Sequence, residues 1–321
     1  SPLYGRATVR LKLQPLPFGA LADLLPGHTV EQRVAVYTMT GGVPAYIELF
    51  DDRLNIRQNL EQRIVTPANV MLTDAAFLLH EQLDEPRNYM AVIESIAAGY
   101  HRLTEIATMS GIDRSNISKY LSVLDELGYV ERRVPATVRR PERSRQGRYV
   151  IVDPYLRFYF RFLAPNLAAI ERGRVRQTID LLVDHLADFI GAHTFEELAR
   201  EWIEARAEMA AFPFLPERVG SFWSREAQVD VLAINWRTKE ILLGECKWEQ
   251  GKTGRKVLQT LLEKTDKVVP GRAEWHIHYA LFSRRGFSPA TEWLAAVHGA
   301  MLVSLQQMEE DMRQSMAGKG G

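Results

Sequence analysis

The sequence predicts a multidomain α + α/β protein, and three observations predict it. The first quarter repeats apolar residues at helical spacing. The middle carries a helix–turn–helix pattern followed by two strands around an arginine-rich loop. The remainder alternates helices and strands about one apolar hairpin, the pattern of an α/β layer with a mixed sheet. The boundaries that follow are a helical region at 1–88, a winged helix-turn-helix at 89–152, a connector helix at 153–175, an α/β domain at 176–308 and a flexible tail at 309–321.

The 321 residues are 46% hydrophobic and 25% charged, enough for a real core. Forty basic side chains balance forty acidic ones, so any polyanion partner must be met by a local patch. One cysteine, Cys246, precludes an internal disulfide framework and fits a reducing cytosol, so a cytoplasmic location is expected. No apolar run approaches ~20 residues, so no membrane partner is expected. No signal peptide is visible, and an opening Ser1 rather than Met reads as a processed or truncated end.

In order, Val9, Leu11 and Leu13 alternate with polar neighbours as in a half-buried strand, which Pro15, Pro17 and Gly19 stop. Helical patterns follow over 30–39, 45–50, 56–64 and 70–83, and Gly41–Pro44 breaks the run at a helix start, with proline in the permitted first turn. A further helix spans 89–98. Leu103, Ile106 and Ala107 then mark a short helix, Gly111 a turn, and Ile117, Leu121, Leu124 and Leu127 the buried stripe of a second helix, capped by Asp113 or Ser115. Arg114, Ser115, Asn116, Ser118 and Lys119 fall on its exposed N-terminal end, where a recognition helix meets base edges and phosphates. Strands at 129–134 and 149–152 flank a wing with Arg132, Arg133, Arg139, Arg140, Arg143, Arg145 and Arg148 against Glu142. Such a mobile wing neutralises phosphates without reading sequence. A protein-binding winged helix and a merely solvated hairpin remain alternatives.

The aromatics of 153–165 cover every helix face, which predicts a buried connector with snorkelling Arg157 and Arg161, ended by Pro165. Helices at 178–189 and 193–206 come next. Gln228–Lys247 then reads as two strands about a turn centred between Arg237 and Thr238, so that paired residue numbers sum to about 475. That register sets Asp230 opposite Glu245, and Lys247 shares their face. Two acids and a lysine in an apolar hairpin are costly unpaired, and a divalent cation relieves that cost. An ion-paired edge hairpin is the alternative. A helix at 256–267, a strand at 276–282, a helix at 289–298 and a strand at 301–305 complete the α/β layer. Gly251–Thr253 lacks the glycine of a phosphate loop, and His276 and His278 have no partners at metal spacing, so both are read as structural.

With these segments placed, the chain resembles the C-terminal portion of archaeal-type AAA/STAND ATPases that end in a PD-(D/E)xK nuclease-like domain. The opening S-P-L-Y-G-R and the later G-G-V-P-A-Y-I are similar to the end of the ATPase core and its helical lid. The resemblance implies nucleotide-proximal roles for Arg6 and Pro44. No Walker A or Walker B stretch is present, so ATP is expected only with an upstream core that these residues do not include. Phe195–Glu196, Val229–Asp230 and Glu245–Lys247 are similar to the three nuclease motifs. They imply a restriction-endonuclease-like domain in which Asp230 and Glu245 bind Mg²⁺ or Mn²⁺, the Cys246 carbonyl adds a ligand, and Glu196 completes or orients the site. Lys247 would position the attacking water, and Gln259 would add a polar group. The implied partners are double-stranded DNA and the ATPase core, with an oligomer left open. A non-catalytic DNA-binding regulatory module and a protein-interaction scaffold are the competing functions.

Overall fold

A computed structural model describes residues 13–66, 69–83, 85–269 and 271–318. Arg6 and most of the expected strand at 9–13 lie outside the described residues.

Helix α1 (Val30–Thr40) starts where Thr29 and Gln32 cap each other reciprocally and ends on Gly41 at φ 59°. Gly42 follows at φ 76°, and a Cβ there would collide with the Leu16 carbonyl oxygen. Two glycines are thus required by the backbone, and Pro44 opens the short helix Pro44–Ile47 with its ring exposed. A turn Ile56–Asn59 widens into a π-helical turn, Leu60–Ile64, before α2 (Val70–Gln82).

The helix-turn-helix consists of α3 (Pro86–Ala97), α4 (Leu103–Ser110) and α5 (Arg114–Glu126), with Gly111 turning the chain at φ 70°. Ile117, Leu121 and Leu124 are buried, as their spacing predicts, but Leu127, expected on the same stripe, lies just past the helix end and is 38% exposed. Asp113 occupies the cap position of α5 without a side-chain hydrogen bond. Strands β1 (Val130–Arg133) and β2 (Arg148–Ile151) pair antiparallel, Val130 opposite Ile151.

The connector is buried, but Pro165 does not end it. Pro154–Phe158 passes through a π-helical turn (Tyr159–Leu163) and a 3₁₀ turn (Ala164–Asn166) into Leu167–Glu171. Proline sits in the tight turn, where its missing N–H costs little. Arg157 does not snorkel: it is 5% exposed and forked onto Glu197 at 2.7 and 2.6 Å.

Helix α6 (Val175–Phe189) runs through a π-helical turn (Ile190–Thr194) straight into α7 (Phe195–Glu208). The five-stranded sheet then follows as β3 (Arg218–Trp223), β4 (Gln228–Asn235), β5 (Glu240–Lys247), helix α8 (Arg255–Val268), β6 (His276–Ser283), helix α9 (Pro289–His298) and β7 (Met301–Ser304). Spatial order equals chain order; the first two pairings are antiparallel and the last two parallel. Val231 faces Gly244 and Asn235 faces Glu240, which is the register with sum 475. Both faces are covered, so the strands read as near-continuous apolar runs. Val231, Ala233, Leu242 and Phe282 pack in the core that includes Leu198 and Trp202 of α7. Leu232, Ile234, Ile241 and Leu243 pack with Leu258 and Leu261 of α8. Each such side chain stabilises the fold by about 1.5–3 kcal/mol on burial.

Two elements go beyond the sequence expectation. Strand β3 is one: Gly220 and Ser221 dilute its apolar pattern. The other is α10 (Leu305–Gly318), which occupies residues expected to be a frayed tail. It buries Met308 and Met312, its Asp311 accepts from Trp202 Nε1 at 2.7 Å, and its Glu309 pairs with Arg33 of α1 at 2.6 Å. The C-terminal helix therefore ties the first helical region to the α/β domain.

Candidate functional site

Two sites were expected, a recognition surface and a carboxylate pocket. On α5, Arg114, Ser115, Asn116, Ser118 and Lys119 are all exposed, because Ile117 and Leu121 take the buried side and leave the N-terminal turns to solvent. The wing differs from the mobile loop expected. The Ala136 amide donates to the Ser221 carbonyl at 2.8 Å, and Arg218 donates to the carbonyls of Ala136 and Val138. Ala136 presses on Gly220, where a Cβ would lie 3.2 Å from its own. The wing is pinned to the edge of the α/β sheet, which also covers an otherwise open strand.

This docking divides the arginines. Arg132 turns inward and donates to the carbonyls of Pro141 and Ser144. Arg133 pairs with Glu131 and reaches Glu197 at 3.5 Å. Both are half-buried, unlike the arginines at the loop tip, and already have partners within the chain. Arg139, Arg140, Arg143 and Arg145 stay exposed at the loop tip.

The hairpin brings Asp230, Glu245 and Lys247 together at the end away from its turn. Asp230 Oδ2 accepts the Cys246 amide at 3.0 Å, and the charge on Glu245 acts on the Asp230 carboxyl across the hairpin. Lys247 Nζ lies 3.2 Å from Glu245 Oε2. Lys264 of α8 lies 2.6 Å from Glu245 Oε1, a partner that spacing alone missed; Gln259, expected nearby, is exposed instead. Ten residues into α8, Lys264 carried no signal beyond being the basic residue three positions after Leu261 on the inward stripe. From α7, Arg200 donates to the Asp230 carbonyl at 3.2 Å and holds Glu196 at 3.5 Å.

Burial pushes the Asp230 carboxyl up to about 6, helped by the charge on Glu245. Burial likewise raises Glu196 to about 8, with Asp230 adding to it. Glu197, one residue on, goes the other way: burial opposes its charge, but the Arg157 guanidinium wins and holds it at about 2. Burial works against the Lys247 ammonium, yet Glu245 and Asp230 raise its pKa. The Cys246 thiol is pushed far up by burial and by the nearby carboxylates Asp230 and Glu196, so it stays protonated.

Asp230 and Glu245 act on each other across the hairpin, and Mg²⁺, which uses one or two carboxylates and keeps its waters, could join such a pair. Both Glu245 oxygens are already met by lysines, so a cation would have to displace a lysine from the two acids. Glu196 does not join them as a ligand, because among the described residues no three His, Cys, Asp or Glu side chains are grouped closely enough to hold a metal. His278 stacks on Phe214 at 5.4 Å beside Glu240, in keeping with a structural role. Among the described residues no helix is long and apolar enough to cross a membrane.

Comparison with known proteins gives two family matches. Residues 89–134 match the IclR helix-turn-helix domain, and residues 159–259 match DUF234, described as archaeal and bacterial proteins of unknown function. An uncharacterized protein of Methanocaldococcus jannaschii is 32% identical over 287 residues, covering 89% of this chain and 63% of that protein. The chain thus spans a little under two thirds of that relative's length. A solved O-methyltransferase of neocarzinostatin biosynthesis, in complex with S-adenosyl-L-homocysteine, covers 74% of this chain and 67% of its own at 15% identity; its TM-score of 0.18 carries no argument about fold. The chain carries an IclR-type helix-turn-helix and, over the residues that hold Glu196, Asp230, Glu245 and Lys247, a DUF234 segment.

Proposed function

We propose that this chain binds double-stranded DNA through α5 and the tip of the wing. The observation that carries this reading is the all-polar exposed face Arg114–Lys119, set at the N-terminal end of the second helix of an IclR-type motif. In such motifs that end enters the major groove. Arg139, Arg140, Arg143 and Arg145 supply phosphate neutralisation beside it. Titration of a labelled duplex with the parent chain and with an Arg114→Ala, Lys119→Ala variant tests it; equal affinities would remove it.

A second reading concerns the α/β domain, and the convergence of Asp230, Glu245 and Lys247 at one end of the hairpin favours it. The domain is a restriction-endonuclease-like unit with phosphodiesterase chemistry. Its order, a helix followed by three antiparallel strands, a helix and a parallel strand, supports that assignment. Asp230 and Glu245 would hold Mg²⁺ or Mn²⁺. The ion would lower the pKa of a bound water and offset charge on the scissile phosphate. Lys247 orients Glu245 and presents a cation to the phosphate; Lys264 shares the first task. Glu196, held by Arg200, carries its proton at neutral pH because burial raises its pKa to about 8, so it would serve as a proton donor rather than as a base. Plasmid cleavage dependent on Mg²⁺ or Mn²⁺ that disappears in Asp230→Ala and Lys247→Ala tests this. Intact activity in both would leave the cluster as an ion-pair network and the chain as a DNA-binding regulatory module.

The longer protein is an archaeal-type ATPase on this reading, with an ATP-binding core upstream and Arg6 and Pro44 near the nucleotide. The glycine-forced break at Gly41–Gly42, which sets the exposed Pro44 at a helix start, supports the lid assignment.

A further inference from the structure

Where the winged helix meets α7 and β3, a cavity of about 160 Å³ is left. One wall is His101, Arg133 and Arg148 of the winged helix. The other is Glu196 and Arg200 of α7 with Trp223 and Gln228 of the sheet. At roughly 30 Å³ per water it has room for about five waters, enough for one phosphate group and too little for a duplex.

Its charge balance is specific. Arg133 and Arg157 are met by Glu131 and Glu197, and Arg200 by Glu196. Arg148 has no such contact: among the described residues no carboxylate lies at ion-pair distance from it, Glu105 acts on it only from farther off, and its guanidinium lies 4.7 Å over the Trp223 ring. The ring is itself fixed, because Trp223 Nε1 donates to the Gln146 carbonyl at 3.1 Å. A guanidinium resting on an indole ring leaves N–H groups that can take an anion in a forked contact. Burial and the neighbouring Arg102 depress the Arg148 pKa against a weaker opposing pull from Glu105, a net cost that an anion would remove.

We infer that this cavity is a phosphate-binding site, shared by the winged helix and the α/β domain, with Arg148 as its principal ligand. The phosphate comes from a nucleic-acid strand end or from a free nucleotide. The choice of a nucleic-acid source rests on the DNA-binding reading; the site itself does not, nor does it need metal or cleavage.

The test uses the full chain in EDTA, with calorimetric titration of inorganic phosphate, thymidine 5′-monophosphate, and one short single strand carrying either a 5′-phosphate or a 5′-hydroxyl. Saturable, mutually competitive binding is expected from all the phosphorylated probes. Arg148→Gln should weaken each by about tenfold or more, the effect of removing one charge-assisted contact. Arg148→Lys should lose most of that too, since an ammonium provides neither the fork nor the stack. Gln228→Glu, at an exposed position, puts a like charge at the rim and should weaken binding even if Arg148 variants fold poorly. A 5′-phosphate advantage over free nucleotide assigns the site to strand ends; equal affinity assigns it to nucleotides; both uphold it. Absence of saturable phosphate binding overturns the site. So does affinity unchanged in folded Arg148→Gln and in Gln228→Glu. Loss of duplex binding alone, with phosphate binding intact, would count against the helix-turn-helix reading and not against this one.

Discussion

Lys264 Nζ of α8 lies 2.6 Å from Glu245 Oε1 of β5, while Lys247 Nζ holds the other oxygen at 3.2 Å. Glu245 is 6% exposed, so its charge is kept in the fold by two ammoniums from different elements. Truncating Lys264 to alanine should therefore destabilise the chain by about 1–3 kcal/mol, read as a lower urea midpoint at pH 7. Glu245→Gln in the same background should recover part of the loss, because the uncompensated charge is gone.

The carboxylates give the domain a pH-dependent stability with opposite signs in two windows. Asp230 and Glu196 have folded pKa values of about 6 and about 8, above those of the unfolded chain. The folded state therefore holds more protons than the unfolded one, and stability falls as pH rises from about 4 to about 8. Glu197, held at about 2, does the reverse: its contribution is present above about 4.5 and is lost as pH falls towards 2. Thermal unfolding from pH 3 to 9 should show a maximum on the acid side of neutrality, and Glu196→Gln should flatten the alkaline limb. Millimolar Mg²⁺ at pH 8 should raise the midpoint of the parent and leave Asp230→Asn unmoved.

Arg157 and Glu197 join the connector to α7 by a forked pair inside the core. Arg157→Met strands a buried carboxylate and should cost about 3–5 kcal/mol. The double change Arg157→Met, Glu197→Leu should cost much less, and a double-mutant cycle in urea separates the two.

Much of this was legible from residues. The hairpin register came out at sum 475 because β-branched strands flank one short polar turn, and the α5 stripe because Ile117, Leu121 and Leu124 recur at helical spacing. What the sequence hid depends on long-range packing. R-V-G-S-F-W does not read as a strand until Ala136 of the wing needs the space above Gly220. L-Q-Q-M-E-E-D-M leads into a glycine-rich end that looks frayed, yet Asp311 meets Trp202 and Glu309 meets Arg33, both far away along the chain. Lys264 could not be placed without knowing how α8 lies on β5. The wing arginines look equivalent in sequence and separate into structural and exposed sets only once the wing docks.

That separation is itself testable. Arg139→Gln with Arg140→Gln should leave the unfolding midpoint unchanged and lower the salt slope of duplex binding by about 2, one for each phosphate no longer neutralised. Arg132→Gln removes the brace on Pro141 and Ser144 and should lower stability instead, with little change in that slope.

The most direct measurement of DNA binding through α5 is fluorescence anisotropy of a labelled duplex across a series of salt concentrations, with the parent chain and Arg114→Ala, Lys119→Ala. The parent is predicted to bind in a salt-dependent way, and the variant to bind about tenfold or more weakly at every salt. Binding of equal strength by both, in equally stable chains, would contradict that prediction, since no DNA would then be touching the exposed end of α5.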